Sequence, residues 1–144
     1  MIDKIRKKLL HRPYLFFTIV FIVTCIGVFA SFLLAHKTFI WVGETQDGLV
    51  QHYNSLMYYG KYLRHILTNF EIPMWDFSLG YGADVISTLH YYTIGDPLNL
   101  LSIFVPSQYT EYLYDFLIIL RLYLAGIFFV MYCQCMHKNK GYSV

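Results

Sequence analysis

Charged side chains are scarce in this 144-residue sequence: Asp, Glu, Lys and Arg make up 14% of it, against about 25% in a typical soluble domain. The shortage is concentrated. Tyr14 to Ala35 carries no formal charge, a run long enough to cross a hydrocarbon core of ~30 Å as a helix. A chain of this length has too little interior to cover such a helix on every side, which excludes a water-soluble globular domain. Cysteine is sparse as well. Cys25 lies in the first apolar run and Cys133 and Cys135 lie in the second; the loop that separates the runs holds none, so no disulfide is expected within that loop. Cys133 and Cys135 also lack the further ligands that a structural zinc needs. Internal repeats and low-complexity tracts are absent, which excludes solenoid and linker architectures.

What is present is a membrane pattern. Residues 1–13 form a basic leader with Lys4, Arg6, Lys7, Lys8 and Arg12. A cleaved signal peptide would have a shorter core and a small-x-small site. Leu33-Leu34-Ala35 puts leucine where a small residue is needed, so residues 14–35 are expected to stay as a first transmembrane helix. The second run, Phe116 to Met136, is interrupted once, by Arg121, and gives a second span over 112–136. Residues 36–111 hold Lys37, Lys61 and Arg64 against Glu44, Asp47, Glu71, Asp76, Asp84, Asp96 and Glu111, while the tail, 137–144, holds Lys138 and Lys140. The positive-inside rule then places both termini in the cytoplasm and 36–111 outside. Trp41, Tyr112 and Tyr114 flank the runs as interfacial anchors. Gly27, Ala30 and Ser31 on one span, with Ala125 and Gly126 on the other, would let two helices approach closely as a hairpin.

Within the loop, Gln46 to Phe70 carries two opposed stripes. Leu49, Tyr53, Leu56, Gly60, Leu63, Leu67 and Phe70 recur at spacings of four and three, and so do Asp47, Gln51, Asn54, Tyr58, Lys61, His65 and Thr68. This predicts an amphipathic helix over 46–70, between an apolar surface and a wet one. Thr45 suits its N-cap, and Asp47 suits the positive end of its dipole. Beyond Glu71 the chemistry is that of turns. Trp75 to Gly82 reads as an ordered aromatic loop and 83–92 as a short helix. Asp96-Pro97 starts a brief helix to about Phe104, too short to span and suited to the outer leaflet. The expected fold is an all-α membrane protein: two transmembrane helices joined by a large extracytoplasmic loop with two or three amphipathic or interfacial helices.

Several residues could carry chemistry. A carboxylate such as Asp47 can take a proton from an attacking hydroxyl, or can simply be a solvated acid in a first helical turn. Glu44 could share a proton or a metal with it, or be plain loop charge. Gln51 and Asn54 follow on the wet stripe and could hydrogen-bond sugar hydroxyls. Tyr81, Tyr91 and Tyr92 could stack on sugar rings or anchor at an interface. Arg121 is an ionisable residue inside a span, which costs about 2.5 kcal/mol or more unless satisfied. It could pair with a lipid phosphate, snorkel to headgroups, or meet an acid on another helix. His52, His65 and His90 lack the spacing of a helical metal pair. The basic clusters flank membrane helices, which accounts for them without a nucleic acid.

Four segments in order carry a family likeness. They are Gly43 to Tyr53 (GETQDGLVQHY), Ile72 to Gly82 (IPMWDFSLGYG), Tyr91 to Leu101 (YYTIGDPLNLL) and Leu120 to Gly126 (LRLYLAG). Over nearly its whole length the chain resembles the N-terminal part of the bacterial YfhO-type membrane protein family. That family looks like the polytopic GT-C transferases. The resemblance implies a plasma-membrane glycosyltransferase that takes a sugar from a polyprenyl-phosphate carrier on the outer face. The sugar passes to an extracellular glycopolymer such as teichoic or lipoteichoic acid. It implies that Asp47 occupies the position of the acidic residue near the end of the first helix that serves as the catalytic base. Gln51, Asn54 and Arg121 are then candidates for substrate binding. Some relatives of that class use a divalent cation and others do not, so the cofactor stays open. Family members are several times longer, so the sequence is expected to be an N-terminal portion, inactive without the remaining helices. A different class stays open: a small non-enzymatic membrane subunit or scaffold.

Overall fold

The computed structural model describes residues 12–40 and 47–136. The basic leader up to residue 11, the tail beyond 136, and the expected roles of Trp41, Glu44 and Thr45 lie outside the described residues. The chain divides into two units. One holds residues up to Lys37 and from Ile118 onward, and the other runs from Thr38 to Leu117.

The first unit is a helical pair. Helix α1 (Pro13–Leu34) starts on proline, whose missing N–H is not needed in a first turn. It ends where His36 turns to a φ of 51° and the Lys37 amide donates back to the Phe32 carbonyl at 3.0 Å. None of its residues is buried, and Val23, Ile26, Val28 and Leu33 are all exposed. The second long helix, labelled α4 below (Thr110–Cys135), contributes its part beyond Leu117 to this unit. Both helices are long and apolar enough to cross a membrane, and an apolar surface left open along their length suits lipid rather than water.

The two helices run antiparallel. Tyr14 donates its hydroxyl to Gln134 at 2.7 Å, and the Thr18 and Tyr123 hydroxyls lie 3.0 Å apart. Phe17 and Phe21 pack on the Tyr123 ring, with centroids 5.9 and 5.3 Å away. Gly126 receives the Phe17 ring where any β-carbon would collide with it. The close approach therefore uses Gly126 against an aromatic ring; Gly27, expected on the matching small face, has nothing near its missing side chain.

The second unit is built around one helix. A π-helical stretch (Gly48–Tyr53) runs directly into α2 (Asn54–Asn69), and Phe70 at a φ of 56° closes it. Leu56, Tyr59 and Gly60 are buried, while Asp47, Asn54, Lys61, His65 and Thr68 are exposed. A hairpin follows: strand β1 (Trp75–Asp76) pairs antiparallel with β2 (Ala83–Asp84), Trp75 opposite Asp84 and Asp76 opposite Ala83. The expectation of helices alone is corrected here, although the chain is mostly helical. The loop closes as a hairpin because Gly80 (φ 63°) and Gly82 (φ 106°) adopt conformations other residues resist.

Helix α3 (Val85–Leu89) leaves the hairpin with Asp84 as its cap, accepting from the Ser87 amide at 2.6 Å. A second π turn (His90–Ile94) and a 3-10 helix (Pro97–Phe104) follow, the latter capped by Asp96, which accepts from the Leu98 amide at 2.9 Å. The core joins Tyr59 to Val85 and Leu89, with Tyr58, Tyr62, Leu63 and Leu79 packed around them. On its other side α2 meets the 3-10 helix. There a β-carbon on Gly60 would stand 2.7 Å from the Ser102 carbonyl oxygen. Arg64 fixes the contact by donating to the carbonyls of Ser102 and Val105, both at 2.8 Å, and to the Ser107 hydroxyl at 3.3 Å. At the start of α4, Asp115 accepts the Phe39 amide at 2.9 Å.

Candidate functional site

The wet stripe of the central helix holds the candidate site. Asp47 is already in helical conformation (φ −57°, ψ −37°), and its side chain makes no capping hydrogen bond. Its carboxylate is exposed. The chain leaves Asp47 in a π turn, a wide geometry found often at functional sites. Gln51 is half-buried and Asn54 exposed, and the Asn54 amide donates to the Val50 carbonyl at 3.3 Å. Asp47, Gln51 and Asn54 therefore lie on one side of one helix. Arg121 is half-buried on α4, in the helical pair, and so belongs to the other unit.

Farther along the same stripe, Tyr58, Lys61 and His65 form one wall of a groove of about 530 Å³, and the hairpin forms the other with Pro73, Trp75, Asp76 and Ser78. Residue by residue, the groove is held in shape. Tyr58 and Tyr62 stack with centroids 6.3 Å apart and planes at 15°, and Tyr62 donates to the Pro73 carbonyl at 3.2 Å. Asp76 takes the Tyr58 hydroxyl on one oxygen at 2.5 Å and the Ser78 amide on the other at 2.7 Å. Those bonds hold its carboxyl below the usual carboxylate range, the Tyr58 bond first. Burial, and then the same carboxylate, pushes the Tyr58 phenol above its ordinary value. Trp75 stays 56% exposed, placed edge-on to Phe77 at 6.5 Å. Gly82 leaves room for it, since a β-carbon there would lie 2.9 Å from the indole nitrogen.

Tyr58 lies eleven residues after Asp47, about 16 Å along a helix axis, so one small ligand does not reach both. The groove escaped sequence reasoning. Its one visible signal was the pairing of the wet-stripe residues Tyr58, Lys61 and His65 with an aromatic loop bounded by glycines. Among the described histidines, His65 meets Asn69 at 2.8 Å, His52 stands edge-on to Tyr92 at 5.4 Å, and His90 meets the Ser87 carbonyl at 2.7 Å. No three His, Cys, Asp or Glu side chains come together to hold a metal among the described residues.

No curated protein matches the chain, and no solved structure does. Residues 15–144 match the family model described as "Bacterial membrane protein YfhO". With two apolar helices and a match over nearly its whole length, the chain belongs to the YfhO family of bacterial membrane proteins.

Proposed function

We propose that this chain is part of a membrane glycosyltransferase that moves a sugar from a polyprenyl-phosphate carrier to an extracellular glycopolymer of the teichoic or lipoteichoic acid kind. Family membership supports a transferase-like membrane protein, and the observation that carries the rest is the exposed, uncapped Asp47 carboxylate in line with Gln51 and Asn54. In the reaction, the oxygen of an acceptor hydroxyl attacks the anomeric carbon. The bond from that carbon to the carrier phosphate breaks, and the phosphate leaves with the electron pair. Asp47 takes the hydroxyl proton. Gln51 and Asn54 hydrogen-bond sugar hydroxyls, and the Arg121 guanidinium pairs with the carrier phosphate. The loop faces the outside and both termini face the cytoplasm, as the charge distribution suggests.

The test is Asp47→Asn, introduced into the native gene. An exposed acid that caps nothing is worth little to the fold, within about 0.5 kcal/mol, so the variant should reach the membrane at normal levels. Sugar content of the surface polymer, measured by NMR on extracted material, should fall at least about 100-fold in rate of incorporation, the usual contribution of a general base. Unchanged decoration at equal protein level removes Asp47 from the mechanism and favours a non-enzymatic membrane subunit.

A further inference from the structure

We infer that the groove between α2 and the hairpin binds a neutral sugar ring of a glycan, stacked on Trp75 and hydrogen-bonded by Asp76, Lys61 and His65. The inference rests on the transferase reading only for the identity of the glycan; the groove's own chemistry selects the ligand class. Its volume, about 530 Å³, falls in the range of small-molecule sites, roughly 300–1,000 Å³. Its walls combine the exposed Trp75 indole with polar side chains, among them an Asp76 already fixed in direction, which is what a sugar offers in reverse: an apolar ring face rimmed by hydroxyls.

Asp76 is the central acceptor. The Tyr58 hydroxyl bonds one carboxylate oxygen and the Ser78 amide the other, with the Ser78 hydroxyl adding a further bond, and of the roughly four acceptor positions of a carboxylate one is left for a ligand hydroxyl. Tyr58 and Ser78 therefore orient the group without saturating it. Lys61 and His65 lie one helical turn apart on the facing wall and supply donors. The charges oppose one another: one lysine, one carboxylate and one histidine line the same space. A phosphate ligand would meet the Asp76 carboxylate beside the only lysine, so the balance favours an uncharged polyhydroxyl ligand.

Trp75 has a competing use, since exposed tryptophans anchor proteins at membrane interfaces, and Phe77 and Tyr81 on the same hairpin are exposed too. Its position among groove-lining polar groups favours a ligand. The polar stripe gives the groove a place in the reaction. Asp47 stands at one end of the stripe and the groove near the other, so a glycan lying along the helix can present one residue to Asp47 while a distal residue is held at Trp75.

The chain holds two tryptophans, Trp41 and Trp75, so a Trp41→Phe background makes Trp75 emission a direct reporter. The full chain, purified in lipid nanodiscs, is titrated with methyl glucoside, methyl galactoside and N-acetylglucosamine, with a β-linked disaccharide of each, and with glycerol phosphate as the anionic control. Saturable quenching by at least one saccharide is expected, in the range of about 1–10 mM for so open a site. Ligand-observed NMR on the unreported variants should show binding weakened at least about tenfold by Trp75→Ala and by Lys61→Ala, with Trp75→Phe retaining part of it. A disaccharide that binds more tightly than its monosaccharide supports a polymer residue, and equal affinities support a single free sugar. The inference is overturned by no saturation with any saccharide, by glycerol phosphate binding in their place, or by undiminished binding in Trp75→Ala. Trp75 emission that responds to lipid but not to saccharide also overturns it. Failure here leaves the Asp47→Asn result standing, and failure of Asp47→Asn leaves saccharide binding standing, so the two readings fall separately.

Discussion

The Tyr58 hydroxyl donates to the Asp76 carboxylate across 2.5 Å, joining a helix to a hairpin eighteen residues further on. This bond ties α2 to β1, and it contributes to the protonation behaviour of both partners. Asp76 is held below the usual carboxylate range by Tyr58 and then by the Ser78 amide. Tyr58 is pushed above the ordinary phenol value by burial and then by Asp76. Asp84, at the other strand, is lowered by its bonds from Ser87.

These shifts predict the pH dependence of the loop unit. A carboxylate lowered in the folded state stabilises it above the unfolded value of about 3.9, and that contribution is lost as pH falls through the lower, folded value. A phenol raised in the folded state has its contribution in full below about pH 10 and loses it as pH rises beyond. Thermal unfolding in detergent, followed by circular dichroism, should therefore hold level between about pH 5 and 9 and decline on both sides. Tyr58→Phe should shrink the acid decline and also the alkaline one, to which the Tyr59 and Tyr62 phenols, raised first by burial, contribute the rest. Asp84→Asn should shrink the acid decline and trim the alkaline one as well, because Asp84 helps, after burial, to raise the Tyr62 phenol. An alkaline limb that survives Tyr58→Phe unchanged would place its cause elsewhere.

Arg64 is the second fastening of the unit. Its guanidinium serves the carbonyls of Ser102, Ile103 and Val105 and the Ser107 hydroxyl, where the 3-10 helix ends and its carbonyls need donors. Arg64→Ala should destabilise the fold by about 1–3 kcal/mol, the cost of leaving such acceptors unmet. Arg64→Lys should restore only part, because one ammonium cannot copy the planar fork. Hydrogen exchange should quicken first at the Val105 amide, which bonds to the Ser102 carbonyl; uniform quickening across the unit would argue against a local clamp.

Some of this architecture was legible in the sequence and some was not, for physical reasons. The long helices announce themselves because lipid tolerates almost no charge along their length, and Tyr14 to Ala35 has none. Spacing of four and three marks an inward and an outward side of a helix, and Leu56 and Gly60 are buried while Asn54 and Lys61 are exposed. The pattern misses Tyr59, which is buried, and misplaces Leu67 and Phe70, which are exposed. Packing against Val85 and Leu89 of α3 decides the first, and periodicity carries no record of it. The Asp96 cap is local, written in two adjacent residues, whereas the groove depends on the chain turning back after α2, where Phe70 takes a φ of 56°. That reversal brings Trp75 and Asp76 to face Tyr58. Asp47 could be chosen from its place after the first apolar run; Asp76 could not, because its value lies in a partner from another element.

Gly60 tests how tightly α2 and the 3-10 helix are pressed together. Alanine in a helix interior normally gains about 1 kcal/mol over glycine. Here the added carbon would stand 2.7 Å from the Ser102 carbonyl oxygen and 3.2 Å from the Ser102 β-carbon, and the oxygen is backbone held by Arg64. Overpacking of that kind costs about 1–3 kcal/mol, so Gly60→Ala should lower stability despite its better helix propensity. Because both changes act on Ser102, Gly60→Ala and Arg64→Ala should be non-additive in a double-mutant cycle by at least about 0.5 kcal/mol. A stabilised Gly60→Ala would show that the two helices can part.

The helical pair has its own test in Phe17 and Gly126. The ring occupies the space that a β-carbon on Gly126 would need, and small residues let membrane helices approach in just this way. Gly126→Val should therefore weaken the pair, lowering its unfolding temperature in detergent and shortening its survival in SDS. Phe17→Ala alone should also weaken it, by removing the ring from Tyr123. Together they should recover part of the loss, because the smaller residue at 17 makes room for the larger one at 126. If the ring mattered only as lipid-facing bulk, the two effects would add, and the double variant would be the least stable of the three. Recovery would establish that the ring and the glycine form one contact.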